Sequence, residues 1–237
     1  MTDSITERFL RVQETVAYHS GRREWQRGKT RLIVVTKRQS LEACMEVKEA
    51  GAAYFGENYP EETVEKFTNT DYQNIEFHMI GHLQSRKVKL LSPLFSVLQT
   101  IDRIEIAEKV DNYFKGLGKR IDALVEIDLT GEQAKSGFLF NRDAGIESFY
   151  APFEKILEFR NINLVGVMTM GHFPRTEETN RSIFSRARYV LGELQSKYRL
   201  ENFTELSMGT SGDYITAIQE GATMVRVGEL IMGARRV

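Results

Sequence analysis

Along this chain, short runs of branched apolar residues alternate with longer stretches in which apolar positions recur every three or four residues. The first run, RLIVVTK at 31–37, is apolar on consecutive positions, as in a strand buried on both faces of a parallel sheet. Seven more follow: AYFGEN (53–58), IEFHMIG (75–81), FSVLQT (95–100), IDALVEID (121–128), LVGVMTM (164–170), FTELSMG (203–209) and TMVRVG (223–228). Between them the helical period predicts helices over 40–51, 60–67, 83–91, 103–118, 148–160, 177–198 and 213–221. Ser40 is placed to cap the first of these and Gly51 to end it, and Pro60 sits in the first turn of the next.

A further helix is predicted over 4–27, ahead of the first strand. Ser4 and Glu7 stand at capping-box spacing, and Phe9, Val12 and Val16 fall on one face, with His19 at its end. Strict strand–helix alternation implies a parallel sheet, and eight units favour closure into a (β/α)8 barrel over an open sheet. After the eighth run only about ten residues remain, so the N-terminal helix is expected to fill the vacant eighth position around the barrel. With no Pro/Gly/Ser-rich linker and 237 residues, the expectation is a single domain spanning 1–237.

Composition narrows the function classes. Lys and Arg number 32 against 33 for Asp and Glu, a net charge of −1, where a phosphate-backbone binder would carry a basic excess. A small-molecule ligand is therefore expected, with no nucleic acid. The charged start and the lack of a long apolar run predict neither a signal peptide nor a membrane span, hence a cytoplasmic protein. The single cysteine, Cys44, lies in a helical pattern and reads as a small buried side chain, which suits a reducing compartment.

In a barrel of this kind, chemistry gathers at the C-terminal ends of the strands. Those ends are Thr36–Lys37, Gly56 to Asn58, His78 to Gly81, Thr100, Asp128, Met168 to His172, Ser207 to Gly212 and Arg226 to Gly228. Lys37 directly follows LIVVT, so its amine points into the barrel mouth. A partly dry pocket lowers the pKa of an ammonium, and a neutral amine can attack an aldehyde to form an imine. The plainer alternative is a strand-end cation reaching out to solvent. The loop SMGTSG, just before a short helix, offers glycines, hydroxyls and free N–H groups where barrels often hold phosphate; the plainer reading is a Gly/Ser turn. Arg226 has apolar neighbours on both sides and needs an acceptor: a carboxylate, or the pyridine nitrogen of a bound cofactor.

These residues bring a known family into view. The segments VVTKRQS, FGENYPEE, FHMIGHLQSRK, TIDR, EIDLTGEQAKSGF, GVMTM and ELSMGTSGDYITAIQEGATMVRVGELIMGAR resemble the pyridoxal-phosphate homeostasis proteins, relatives of the alanine racemase N-terminal barrel. The resemblance implies a cytoplasmic protein that holds pyridoxal 5′-phosphate (PLP) as a Schiff base on Lys37. It implies a phosphate loop formed by Ser207, Gly209, Thr210 and Ser211 with Gly228 close by, Arg226 facing the pyridine nitrogen, Asn58 and His78 lining the pocket, and Lys135 near the mouth. Two positions depart from the family pattern: Arg86 replaces an asparagine, and Thr210 stands where methionine is commoner.

The resemblance further implies a carrier that keeps free aldehyde low and hands the cofactor to apo PLP-dependent enzymes. The second domain from which alanine racemase draws a tyrosine base is expected to be absent, and with it turnover; a monomer is expected for the same reason. The alternatives are a PLP-dependent racemase or lyase, and a phosphosugar or nucleotide enzyme using Lys37 as an unmodified base. His78 and His82 lack a third partner at metal-ligand spacing, so no metal is expected. The methionines Met168, Met170, Met208 and Met224 read as barrel packing, with one able to touch a cofactor ring.

Overall fold

The computed structural model describes residues 3–22, 28–92, 94–131, 136–140, 145–171 and 176–233. Its sheet is a ring. Strands β1 (Arg31–Val35), β2 (Tyr54–Glu57), β3 (Glu76–Met79), β4 (Phe95–Ile101) and β5 (Ile121–Asp128) pair in chain order. The ring continues through β7 (Ile162–Met168), β8 (Glu205–Thr210) and β9 (Met224–Val227), and β9 pairs back onto β1. All these ladders are parallel, so the chain forms a closed eight-stranded (β/α)8 barrel. A two-residue strand, β6 (Phe138–Leu139), pairs beside the end of β5 outside the ring and has no counterpart in the sequence reading.

Helices α1 (Ile5–His19), α2 (Leu41–Glu49), α3 (Pro60–Phe67), α4 (Ile104–Gly116), α5 (Glu147–Leu157), α6 (Glu177–Tyr198), α7 (Tyr214–Gln219) and α8 (Glu229–Met232) form the outer layer. Their apolar faces meet the outward side of the strands; Phe55, Phe67 and Phe77 pack there with ring centroids 4.8 to 6.2 Å apart. Each such ring contributes about 2–3 kcal/mol by leaving water. Ser4 caps α1 as its spacing predicted: its Oγ accepts from the Glu7 N–H at 3.1 Å and Glu7 Oε2 accepts from the Ser4 N–H at 2.7 Å. Helix α1 packs on α2, α7 and α8, the place left open after β9. Arg8 Nε ties it to the Ile231 carbonyl at 2.7 Å.

Several boundaries differ from expectation. Helix α1 stops at His19, where Ser20 turns extended; of the rest of the predicted 4–27 span, 23–27 lie outside the described residues. The segment predicted as a helix over 83–91 is a 3-10 helix at Ser85–Leu90, wedged between α3 and α4. Strand β1 ends at Val35, which puts Thr36 and Lys37 into the turn above it. Among the described residues, no helix is long and apolar enough to cross a membrane.

Inside the ring, side chains stack in layers. Val97, Leu124 and Met168 form an apolar plug with Val165 packed against it. Near the N-terminal end lies the Arg31–Glu205 ion pair at 2.6 Å, with the guanidinium over the Tyr54 ring. Toward the C-terminal ends of the strands the interior turns polar, and the cavity opens there.

Candidate functional site

A cavity of about 250 Å³ opens at the C-terminal mouth between β1, β2, β8 and β9. Of the residues singled out in the sequence, Lys135 aside, six of nine line it: Lys37, Asn58, Thr210, Ser211, Arg226 and Gly228. They come from positions nearly two hundred residues apart, and only ring closure through the β1–β9 pair brings them together. The remaining wall comes mainly from Val35, Gln39, Ile80 and Met170, with Glu229 and Met232 of α8. Helix α8 was missed because a four-residue helix carries too little periodic signal.

The other three lie outside the lining. His78 is fully buried on β3, below the mouth. Its Nδ1 accepts from Gln99 Nε2 at 2.9 Å, and burial holds its pKa below the usual imidazole value, so the ring is neutral. Nε2 stands 2.9 Å from Glu76 Oε1 but out of line for a hydrogen bond. His78 thus sits in the barrel interior and is not among the residues that line this cavity. Ser207, also fully buried, donates to Gln99 Oε1 at 2.7 Å and accepts from Arg226 Nη1 at 2.5 Å. Gly209 turns beneath α7, where a Cβ would stand 2.5 Å from that of Ala217. Lys135 lies outside the described residues. Arg86 lies on the surface, where its Nε donates to Gln84 Oε1 at 3.1 Å.

Arg226 is 3% exposed. Burial pulls its pKa down to about 10, still far above neutrality, so the guanidinium is charged. Its contacts are neutral: Ser207 Oγ, the Thr169 carbonyl at 3.0 Å and Met170 Sδ at 3.0 Å. Among the described residues no carboxylate reaches ion-pair distance of it. Glu126 acts on it only at longer range, and burial raises the Glu126 pKa, which favours its neutral form.

The loop after β8 is ordered by its own acid. Asp213 Oδ1 accepts from the Thr210 N–H at 2.6 Å and from the Thr210 hydroxyl at 3.2 Å. Thr210 therefore spends both donors on Asp213. Ser211 Oγ accepts from the Gly228 N–H at 3.3 Å, which leaves the Ser211 hydroxyl proton to donate toward the cavity. Asn58 Oδ1 is buried with no hydrogen-bond partner. The backbone at Gly81 packs so closely on Asn58 that a Cβ there would fall 2.7 Å from its Cα. An orphaned acceptor, a hydroxyl donor, a lysine and a buried cation around one cavity fit an anionic ligand of modest size.

Behind β1 and β2 lies a second polar group, facing α2 and α3. Glu57 is fully buried; its Oε1 accepts from Thr36 Oγ1 at 2.7 Å and lies 3.5 Å from Lys66 Nζ, while Oε2 has no partner. Burial, outweighing Lys66, raises its pKa from 4.5 to about 7. Cys44 shares this layer, and burial pushes its thiol up to about 12, so it is an inert core side chain. Because the folded-state pKa of Glu57 exceeds that of the unfolded chain, the native state holds the extra proton between the two values. Its contribution to stability is therefore greatest below about pH 4.5 and is lost as the pH rises through about 7. Glu57→Gln is expected to remove this loss, on the order of 2 kcal/mol. The check is urea unfolding from pH 5 to 8: parallel curves for the two proteins would refute it.

Comparison with known proteins bears on this site. Residues 20–236 match the family model described as alanine racemase, N-terminal domain. The pyridoxal phosphate homeostasis protein of Aquifex aeolicus is 31% identical over 97% of this chain and 98% of its own. The mouse protein of the same name is 34% identical over 95% of this chain and 83% of its own. Among solved structures, PipY of Synechococcus elongatus without PLP superposes with a TM-score of 0.85 at 27% identity, over 97% of this chain and all of that one. PipY with PLP bound gives 0.82 at 26%, with the same coverage. Alanine racemase of Clostridium difficile shares the fold at a TM-score of 0.70 and 15% identity; the match takes in 95% of this chain and 55% of that one.

Proposed function

The chain belongs to the pyridoxal phosphate homeostasis proteins, built on the alanine racemase N-terminal domain, and on that premise we propose that it binds PLP in the mouth cavity, held by a Schiff base on Lys37. One observation carries the reading: Lys37, Ser211, Gly228 and Arg226 line a single cavity of about 250 Å³ although they come from opposite ends of the chain. PipY, similar over nearly the whole chain, binds the same cofactor.

In this arrangement the phosphate is taken by the Ser211 hydroxyl, whose oxygen is anchored by the Gly228 N–H, the loop being held in shape by Asp213 through Thr210 and packed down at Gly209. Ser207 acts from behind, as the acceptor that aims Arg226. Arg226 donates to the pyridine nitrogen and keeps it unprotonated, because a charged guanidinium has no proton to give up at neutral pH. Asn58 meets the ring from the β2 side, and Met170 covers the guanidinium. When bound, the cofactor supplies an electron sink, and an unprotonated ring nitrogen makes that sink weak.

The protein is thus a carrier and not a racemase or lyase. It works in the cytoplasm as a single-domain monomer, holds the aldehyde and delivers it to apo PLP-dependent enzymes. The test is to load the purified protein with PLP, reduce with borohydride and map the peptides. The expected result is added mass on the peptide containing Lys37. Reduced protein without that mass, or with it on another lysine, overturns the reading.

A further inference from the structure

The two peptide groups that meet at the Lys37 Cα are both gripped from behind by one ion pair on α3. The carbonyl of the peptide before it, belonging to Thr36, accepts from Lys66 Nζ at 3.2 Å. The N–H of the peptide after it, belonging to Arg38, donates to Glu62 Oε1 at 2.7 Å. Lys66 and Glu62 stand four residues apart on α3, and their charged ends are 3.0 Å apart. The grip is buried on the lysine side, where Lys66 is 8% exposed, and Glu57 supports it through Thr36 Oγ1.

The backbone held there is not relaxed. Arg38 has φ +57, in the left-handed region that non-glycine residues seldom enter, at a cost of about 1 kcal/mol. Its guanidinium lies 5.4 Å from the centre of the Tyr59 ring and reaches the hydroxyl at 3.4 Å. A turn in this conformation persists only when its surroundings over-determine it, and here the surroundings are Glu62, Lys66 and Tyr59. Turning either peptide at Lys37 would swing its Cα–Cβ bond away from the cavity.

We infer that the Glu62–Lys66 pair is a positioning device for Lys37: it fixes the backbone on both sides so that the amine enters the cavity along the line of attack on the ligand's aldehyde. This rests on the proposed Schiff base. Neither member of the pair lines the cavity, so it acts on the rate of imine formation and not on the grip on the phosphate. In that step the Lys37 amine adds to the aldehyde carbon, water leaves with the aldehyde oxygen, and the C=N bond forms with no change of oxidation state. Misplacing a reacting group by an ångström costs about a hundredfold in rate, so partial loosening is set at tenfold or more.

The experiment compares two probes on full-length wild type, Glu62→Met, Lys66→Met and Lys66→Arg. PLP reports the rate of imine formation through its near-ultraviolet to violet absorbance. Pyridoxine 5′-phosphate has an alcohol in place of the aldehyde and reports non-covalent affinity alone. The expected result is at least about a tenfold slower imine rate in Glu62→Met and Lys66→Met, unchanged affinity for the alcohol, and a largely restored rate in Lys66→Arg. Glu62 is partly exposed, so its variant keeps the test sound even where Lys66→Met fails to fold. Wild-type imine rates in Glu62→Met overturn the inference, as does an equal loss of affinity for the alcohol. Absence of an imine in the wild type overturns the Schiff-base reading instead.

Discussion

Gly166→Ala is expected to destabilise the fold by about 3 kcal/mol or more. A Cβ at this position in β7 would stand 1.8 Å from the Glu205 carbonyl oxygen and 2.5 Å from its carbon. Those atoms are backbone of β8, directly across the ladder, where Gly166 pairs with Glu205. No side chain can swing aside to relieve the overlap, so the two strands must separate. Separation strains the bonds on either side of the pair, Thr204 N–H to the Val165 carbonyl at 2.9 Å and Thr169 N–H to the Ser207 carbonyl at 3.0 Å. The second of these lies next to the Thr169 carbonyl that holds Arg226, so the mouth loosens along with the barrel. Gly192→Ala is the control: on α6 it meets nothing within 4 Å and is expected to stabilise by about 0.5–1 kcal/mol. Denaturant unfolding of both variants is the measurement. A Gly166→Ala protein within about 0.5 kcal/mol of wild type would show that β7 and β8 are not packed this closely.

Lys37→Ala is expected to remove the imine absorbance completely at every PLP concentration and to weaken PLP binding by roughly a hundredfold, about 3 kcal/mol. Binding is expected to persist at the weaker level because Ser211, Gly228 and Arg226 still line the cavity. Lys37→Arg separates covalency from charge. It keeps a cation in the mouth but cannot form the imine, so its spectrum should match that of Lys37→Ala while its affinity falls less. Among the described residues the lysine lining the cavity is Lys37, whereas Lys66, for example, is committed to Glu57, Glu62 and the Thr36 carbonyl. An undiminished violet band in Lys37→Ala would place the imine on a different residue.

What the sequence determined on its own is local. Branched apolar runs such as RLIVVTK and IDALVEID announce strands because burial on both faces admits no polar position. Ser4 and Ser40 announce helix starts because a cap needs only its neighbours three residues on. Strand ends announced the mouth, and with it Lys37, Asn58, Ser211, Arg226 and Gly228. Tertiary structure decided what depends on depth and on partners distant in sequence. His78 reads as a mouth residue, yet the stagger of the ring sets it below, against Gln99. Lys66 lies in the helix predicted over 60–67, and only the packing of α3 over β1 and β2 buries it against Thr36, thirty residues away. Ser85–Leu90 tightened to a 3-10 helix under packing from both sides, which its helical period could not foretell. Chain-neighbour interactions can be read along a line of residues, whereas the level a side chain occupies inside a closed barrel is settled by the register of all its strands at once.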